Sequence, residues 1–126
     1  MIDHVSVAVS DLTVSAAAYE HVLGALGLKR LVDRPATAGF GKAYPEFWLN
    51  ARPGMVPLPP ETGIHICLRV ADQDAVDAFH AAAIAAGWTD AGAPGPRHAA
   101  MTLYYAAFVQ DPDGNKLEAA TFPRKA

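Results

Sequence analysis

The sequence predicts an α+β domain made of two βαβββ modules. Three observations carry that prediction: a strand-then-helix pattern that occurs twice, matching offsets of His, Asp and Gly in the two copies, and short turn-bounded strands after each helix.

The first copy opens at Ile2 to Val9, where Val5, Val7 and Val9 alternate with His4, Ser6 and Ala8, as in a strand with one buried face. Asp11 is placed to cap a helix. Val14, Ala18, Val22 and Leu26 then form an apolar stripe at spacings of four, and Gly27 ends the helix. Leu31-Val32, Ala38 to Gly41 and Glu46 to Leu49 read as three short strands, punctuated by Pro35, Gly39, Gly41 and Pro45. Residues 1–50 make the first module.

Residues 51–63 hold Pro53, Pro57, Pro59 and Pro60 and read as a linker, because proline removes backbone donors and fixes φ. The second module, 64–122, repeats the opening pattern: Ile64, Ile66, Leu68 and Val70 alternate with His65, Cys67 and Arg69. His4 precedes Asp11 by seven residues, and His65 precedes Asp72 by seven; the closing glycines, Gly27 and Gly87, match to within one residue. The second helix carries Val76, Phe79 and Ala83. After Trp88, a Gly/Pro-rich loop is expected from Gly92 to Pro96. Tyr104 to Gln110 and Asn115 to Phe122 then form a hairpin about the turn Asp111-Pro112-Asp113-Gly114.

Composition narrows the function. A chain of 126 residues with 52% hydrophobic content suits one domain. Ten basic against 13 acidic residues, with no basic run, argue against nucleic acid as a partner. The opening residues do not read as a secretory leader, and no apolar stretch approaches the roughly 20 residues that span a bilayer, so the expectation is a cytoplasmic protein with no membrane partner. The single cysteine, Cys67, cannot form an intrachain disulfide; it is either a small apolar strand residue or a reactive thiol.

Ile2-Asp3-His4-Val5 with Val9-Ser10-Asp11, Gly63-Ile64-His65-Ile66, and above all Ala107-Phe108-Val109-Gln110-Asp111-Pro112-Asp113-Gly114-Asn115-Lys116-Leu117-Glu118 carry a resemblance over nearly the whole chain. The sequence resembles the vicinal-oxygen-chelate superfamily of glyoxalase I, extradiol dioxygenases, and fosfomycin and bleomycin resistance proteins. The resemblance implies a cupped mixed β-sheet with flanking helices. It also implies a divalent metal ion held by His4, His65 and Glu118, a small-molecule substrate, and a homodimer, in some relatives with sites between subunits.

Two imidazoles and a carboxylate suit such an ion, which would keep positions open for substrate oxygens and support lyase, isomerase or dioxygenase chemistry. Singly, His4 reads equally as a strand-end surface residue, His65 as a hydrogen-bonded core residue and Glu118 as an exposed carboxylate. Glyoxalase I adds a fourth ligand where Trp48 now sits; Glu46, two residues earlier on the same strand face, would restore it if the alignment slipped. Dioxygenase relatives place a histidine and a tyrosine beside the metal, which makes His98 and Tyr104 candidates with Glu118 for catalysis. Tyr104 and Tyr105 point to opposite faces of one strand, so only one of them can face the cavity. Trp48 and Phe40 are candidates for lining a pocket for an apolar or aromatic substrate, with ordinary core as the other reading. Arg69, on the face of His65, is a candidate anchor for a carboxylate or phosphate; with Tyr105 it completes the substrate-binding set. His21 and His80 are expected to face solvent. The alternative to an enzyme is a metal-free protein that binds a drug or metabolite in the same cup, of the bleomycin resistance type.

Overall fold

A computed structural model describes residues 1–98 and 101–123. The chain runs β1 (Val5–Val9), α1 (Leu12–Gly24), β2 (Lys29–Asp33), β3 (Thr37–Gly41), β4 (Pro45–Ala51), β5 (Ile66–Arg69), α2 (Gln73–Ala85), β6 (Thr89–His98), β7 (Leu103–Gln110) and β8 (Lys116–Thr121). The described residues form two four-stranded mixed sheets, ordered β1-β4-β3-β2 and β5-β8-β7-β6. In each, the opening strand lies parallel beside the last strand of its module. The twofold βαβββ repeat is therefore present, with its sheet in two halves.

Both helices start as their sequence requires. The Asp11 carboxylate accepts from Val14 N at 3.2 Å, and the Asp72 carboxylate accepts from Ala75 N at 2.9 Å. Gly27 and Gly87 follow the helices at φ of 83° each, a conformation that glycine adopts without a Cβ penalty. α1 buries Ala16, Tyr19, Val22 and Leu23 and leaves Val14 63% exposed, so its inner face is rotated from the expected stripe. Tyr19 sets that rotation: its ring packs 5.5 Å from Phe47 and 4.6 Å from Trp88, a larger apolar gain than Val14 offers. α2 buries Val76, Phe79 and Ala83 as predicted. Both helices and the inner faces of both sheets share one core. None of the described helices is long and apolar enough to cross a membrane.

The expected loop at Gly92–Pro96 is instead part of β6. Pro94 and Pro96 donate no backbone hydrogen bond, yet β6 lies at the edge of its sheet, where such a donor is not needed, and register shifts between Asp90 and Gly95 absorb the irregularity. At the far edge of the other sheet, β2 carries its own register shift between Arg30 and Val32.

The hairpin at Asp111–Gly114 does more than turn the chain. Asp111 is 4% exposed and accepts four hydrogen bonds: Tyr19 Oη at 2.7 Å, Asn115 Nδ2 at 2.9 Å, and the backbone amides of Asp113 and Asn115 at 3.0 and 2.8 Å. Asn115 Nδ2 also donates to Ala8 O at 2.8 Å, and Asp113 Oδ2 accepts from Ser10 N at 3.0 Å. The turn thus ties the second module to β1 and α1 of the first. Leu58 N donates to Asp113 O at 2.8 Å, which seats the proline-rich segment on the same turn.

Gly114 has φ of 91°, and a Cβ there would lie 2.7 Å from Leu58 O. Gly114→Ala is therefore expected to cost about 1–3 kcal/mol, read as a lower urea midpoint with an unchanged slope. An unchanged midpoint would mean that the 52–65 segment shifts aside freely.

Candidate functional site

The two sheets can be superimposed through their strand registers. Ser6 pairs with Trp48 in the first, and Cys67 pairs with Glu118 in the second. Trp48 is thus the true counterpart of Glu118, and continuing each ladder back two residues sets His4 level with Glu46 and His65 level with Lys116. The slip that would have made Glu46 the counterpart of Glu118 does not occur.

The second sheet gathers most of the chemistry on the face turned away from the helices. His65 Nε2 lies 3.1 Å from Glu118 Oε1, and Glu118 is 4% exposed although it carries a carboxylate. The His65 ring meets Phe108 edge-on at 5.5 Å. Burial, and then the Glu118 charge, push the Cys67 thiol up to about 12. The same two causes raise the Tyr104 hydroxyl. Both groups therefore stay protonated at neutral pH. Cys67 is exposed on this face, yet a thiol raised in this way is not poised as a thiolate.

Tyr104 stacks on Phe122 at 4.8 Å, and the Arg69 guanidinium lies 5.0 Å from the Phe122 ring centre. Tyr105 points to the other face, where its hydroxyl donates to Asp77 of α2 at 2.7 Å. The alternation predicted for this pair holds, and Tyr105 lies away from the cup. His98 ends β6 opposite Leu103, exposed, and on the face opposite Arg97 and Tyr104. It is not brought to Glu118.

On the first sheet, Trp48 is half-buried and shares the face of Ser6, with the Arg34 guanidinium 6.0 Å from its ring centre. Phe40 does not line a cup. It pairs with Phe47 and is fully buried on the helix side, because β3 turns Gly39, not Phe40, toward Trp48. His4 is exposed and its Nδ1 sits 2.8 Å from Asp3 Oδ1. An open cleft of about 480 Å³ between the modules is lined by His4, Glu46, His65 and Cys67. His80 departs from expectation: only 14% of its side chain is exposed, and it holds Asp90 at 3.1 Å, which lowers the Asp90 carboxyl. His21 is exposed.

Among the described residues, no group of three or more His, Cys, Asp or Glu side chains lies close enough together to hold a metal ion. Within one chain His65 and Glu118 are in contact, while His4, on the first module, lines the same cleft as His65 without completing a group of three donors among the described residues.

Sequence reasoning missed two residues here. Lys116 Nζ lies 5.2 Å and the Arg97 guanidinium 6.0 Å from the Phe108 ring centre. The signal for Arg97 was the pair Gly92 and Gly95, whose missing side chains leave the room its guanidinium occupies.

Residues 1–119 match the family model described as glyoxalase/bleomycin resistance protein/dioxygenase superfamily. A glyoxalase/bleomycin resistance protein from Albidiferax ferrireducens T118 is 33% identical, with a TM-score of 0.83 over 94% of this chain and 97% of that one. A genomically encoded fosfomycin resistance protein from Listeria monocytogenes shares the fold at 15% identity and a TM-score of 0.70, covering 98% and 93% of the two chains. A glyoxalase I mutant from Zea mays shares it at 23% identity and 0.72, over 94% of this chain and 45% of the maize chain. No curated protein matches.

Proposed function

The chain belongs to the glyoxalase/bleomycin resistance protein/dioxygenase superfamily, and from that premise we propose that it is a small metal-dependent enzyme whose divalent ion is held by His65 and Glu118 of one chain and His4 of a second copy. One observation carries the reading: a 4%-exposed carboxylate on β8 in contact at 3.1 Å with an imidazole just before β5. Burying a carboxylate is costly unless it is paired, and an imidazole–carboxylate pair is a donor set suited to divalent first-row metals. Because His4 stands on the other module and no third donor among the described residues joins the pair within one chain, a homodimer that lays the first module of one copy against the second of the other fits the donor set. A light-scattering mass of twice 13.3 kDa is the expected result.

The ion, when bound, would supply Lewis-acid polarisation of substrate oxygens, the chemistry common to lyase, isomerase and dioxygenase reactions. The rest falls to the chain itself. Glu118, almost shielded from water, stays paired with His65 at 3.1 Å. Tyr104, with its hydroxyl raised, acts at neutral pH as a neutral donor to a substrate oxygen rather than as a base. Arg69, stacked beside Phe122, offers a fixed cation to a small acidic substrate. The single free cysteine supports a cytoplasmic setting.

A second reading, a metal-free binding protein, has its own support: Phe108, Phe122 and Tyr104 with Arg69, Arg97 and Lys116 can hold an anionic ligand without an ion. Metal content of protein purified without chelator or affinity tag separates the two. Near-stoichiometric metal in the wild type and none in His65→Ala is expected; a wild type that stays empty after reconstitution would leave only the binding protein.

A further inference from the structure

We infer that Phe108 is a positioning residue of the His65–Glu118 pair: its ring steadies the imidazole beside the carboxylate and keeps the Lys116 ammonium away from it. The inference rests on the reading that this pair binds the ion, and it deepens that reading by naming what leaves the carboxylate free to do so.

Three neighbouring strands bring these groups together. Phe108 on β7 pairs with Glu118 on β8, and β8 runs beside β5, which His65 immediately precedes. The Phe108 and His65 rings come from the two sides of β8 and meet edge-on at 5.5 Å, so they close over the strand between them. This cover contributes to the 4% exposure of Glu118 on the face turned away from the helices. The contact also restricts the rotamers open to the imidazole, whose Nε2 is held 3.1 Å from Glu118 Oε1.

A carboxylate so shielded from water attracts any cation within reach, because charges interact more strongly there than in bulk solvent. Lys116 is within reach. It precedes Glu118 by two residues on the same face of β8, about 7 Å along the strand, a distance its four-carbon stem can cover. Yet among the described residues the ion partner of Glu118 is His65, and Lys116 forms no ion pair. The Lys116 Nζ lies instead 5.2 Å from the Phe108 ring centre, where the π face offers the ammonium a competing seat. Arg97 lies at the same ring, at 6.0 Å, but is tethered to its own strand: it donates to Ala93 O at 2.7 Å and to Pro96 O at 3.2 Å. Gly92 gives both groups room, since a Cβ there would lie 3.2 Å from the Phe108 ring and 3.3 Å from Arg97 Nη2. Lys116 has no such tether among the described residues, so the ring decides whether it meets the carboxylate. An ammonium bonded to Glu118 would occupy a lone pair that the ion needs and would set a positive charge beside it.

Crystal structures of the metal-free wild type and of metal-free Phe108→Ala give the first readout. In the variant the Lys116 ammonium is expected within about 4 Å of the Glu118 carboxylate, while in the wild type it stays at the ring. Zinc affinity, measured against a chromophoric chelator, gives the second. Phe108→Ala is expected to bind zinc about 10- to 100-fold more weakly, the size of effect usual for groups that orient a metal ligand. Lys116→Met should then raise affinity at least about fivefold more in the Phe108→Ala background than in the wild type, because the two residues are coupled. Lost packing alone would not produce that coupling. Should Phe108→Ala fail to fold, Phe108→Leu, which keeps the bulk and lacks the π face, takes its place with the same signs. Lys116 staying clear of Glu118 in the Phe108 variant, an unchanged zinc affinity, or an equal gain from Lys116→Met in both backgrounds overturns the inference. A wild type that binds no zinc overturns the metal reading instead, and the position of Lys116 in the two crystal structures then decides this inference by itself.

Discussion

An equal mixture of His4→Ala and Glu118→Ala chains, unfolded and refolded together, is expected to regain about one quarter of the wild-type metal sites, although neither variant alone holds metal. Half of the dimers formed at random are hybrids. In each hybrid one site joins the two altered residues and is lost, while the other joins the intact His4 of one chain to the intact His65 and Glu118 of its neighbour. The prediction follows from the proposed site between two copies, since no third donor among the described residues of one chain completes the His65–Glu118 pair. Metal per chain after refolding is the measurement, with activity as a second readout once a substrate is known. Recovery near zero, with hybrid dimers demonstrated by mass, would mean that the three residues act within one chain or not at all.

The largest stability effect is expected at Asp111. Asp111→Ala leaves Tyr19 Oη, Asn115 Nδ2 and two backbone amides without their acceptor inside the fold. Loss of about 3–5 kcal/mol is expected in urea unfolding, against about 1–2 kcal/mol for Tyr19→Phe, which removes one donor and keeps the rest. Asp111→Asn separates charge from shape. Burial raises the Asp111 carboxyl above its ordinary value of 3.8 even though hydrogen bonds from the Asn115 side chain, Tyr19 and the Asn115 amide oppose the rise. The folded state therefore holds the proton more tightly than the unfolded chain. That contribution to stability is complete below 3.8 and is lost as pH climbs through the raised folded value. The margin of the wild type over Asp111→Asn should narrow over that window and stay flat above it. A margin that widens with pH would show that the donors outweigh the burial.

What the sequence revealed and what it hid divide along a physical line. A pleated strand has a period of two, so the shared face of His65, Cys67 and Arg69 and the opposed faces of Tyr104 and Tyr105 were legible from spacing alone. The counterpart relation between Trp48 and Glu118 followed from the repeat. Properties that depend on neighbours distant in sequence were not legible. Pro94 and Pro96 argued for a loop because nothing local says that β6 will lie at an edge. Val14 fitted a helical stripe, but Phe47 and Trp88 turned the helix toward Tyr19. Phe40 looked available to a ligand until β3 paired it with Phe47. The Asp111 turn was visible as a turn; that its carboxylate would accept a hydroxyl from Tyr19, 92 residues away, was not.

The irregular outer strands have a further consequence at high concentration. β2 ends its sheet with Lys29, Arg30 and Asp33 and a register shift, and β6 ends the other with Pro94 and Pro96. Neither offers the straight row of amides on which a foreign strand could template a fibre, and charge and proline are the usual protections of such borders. Copies that meet in a crowded solution are discouraged from joining along these two borders. Colloidal stability in dense solution then draws on the same residues that made β6 so hard to recognise as a strand.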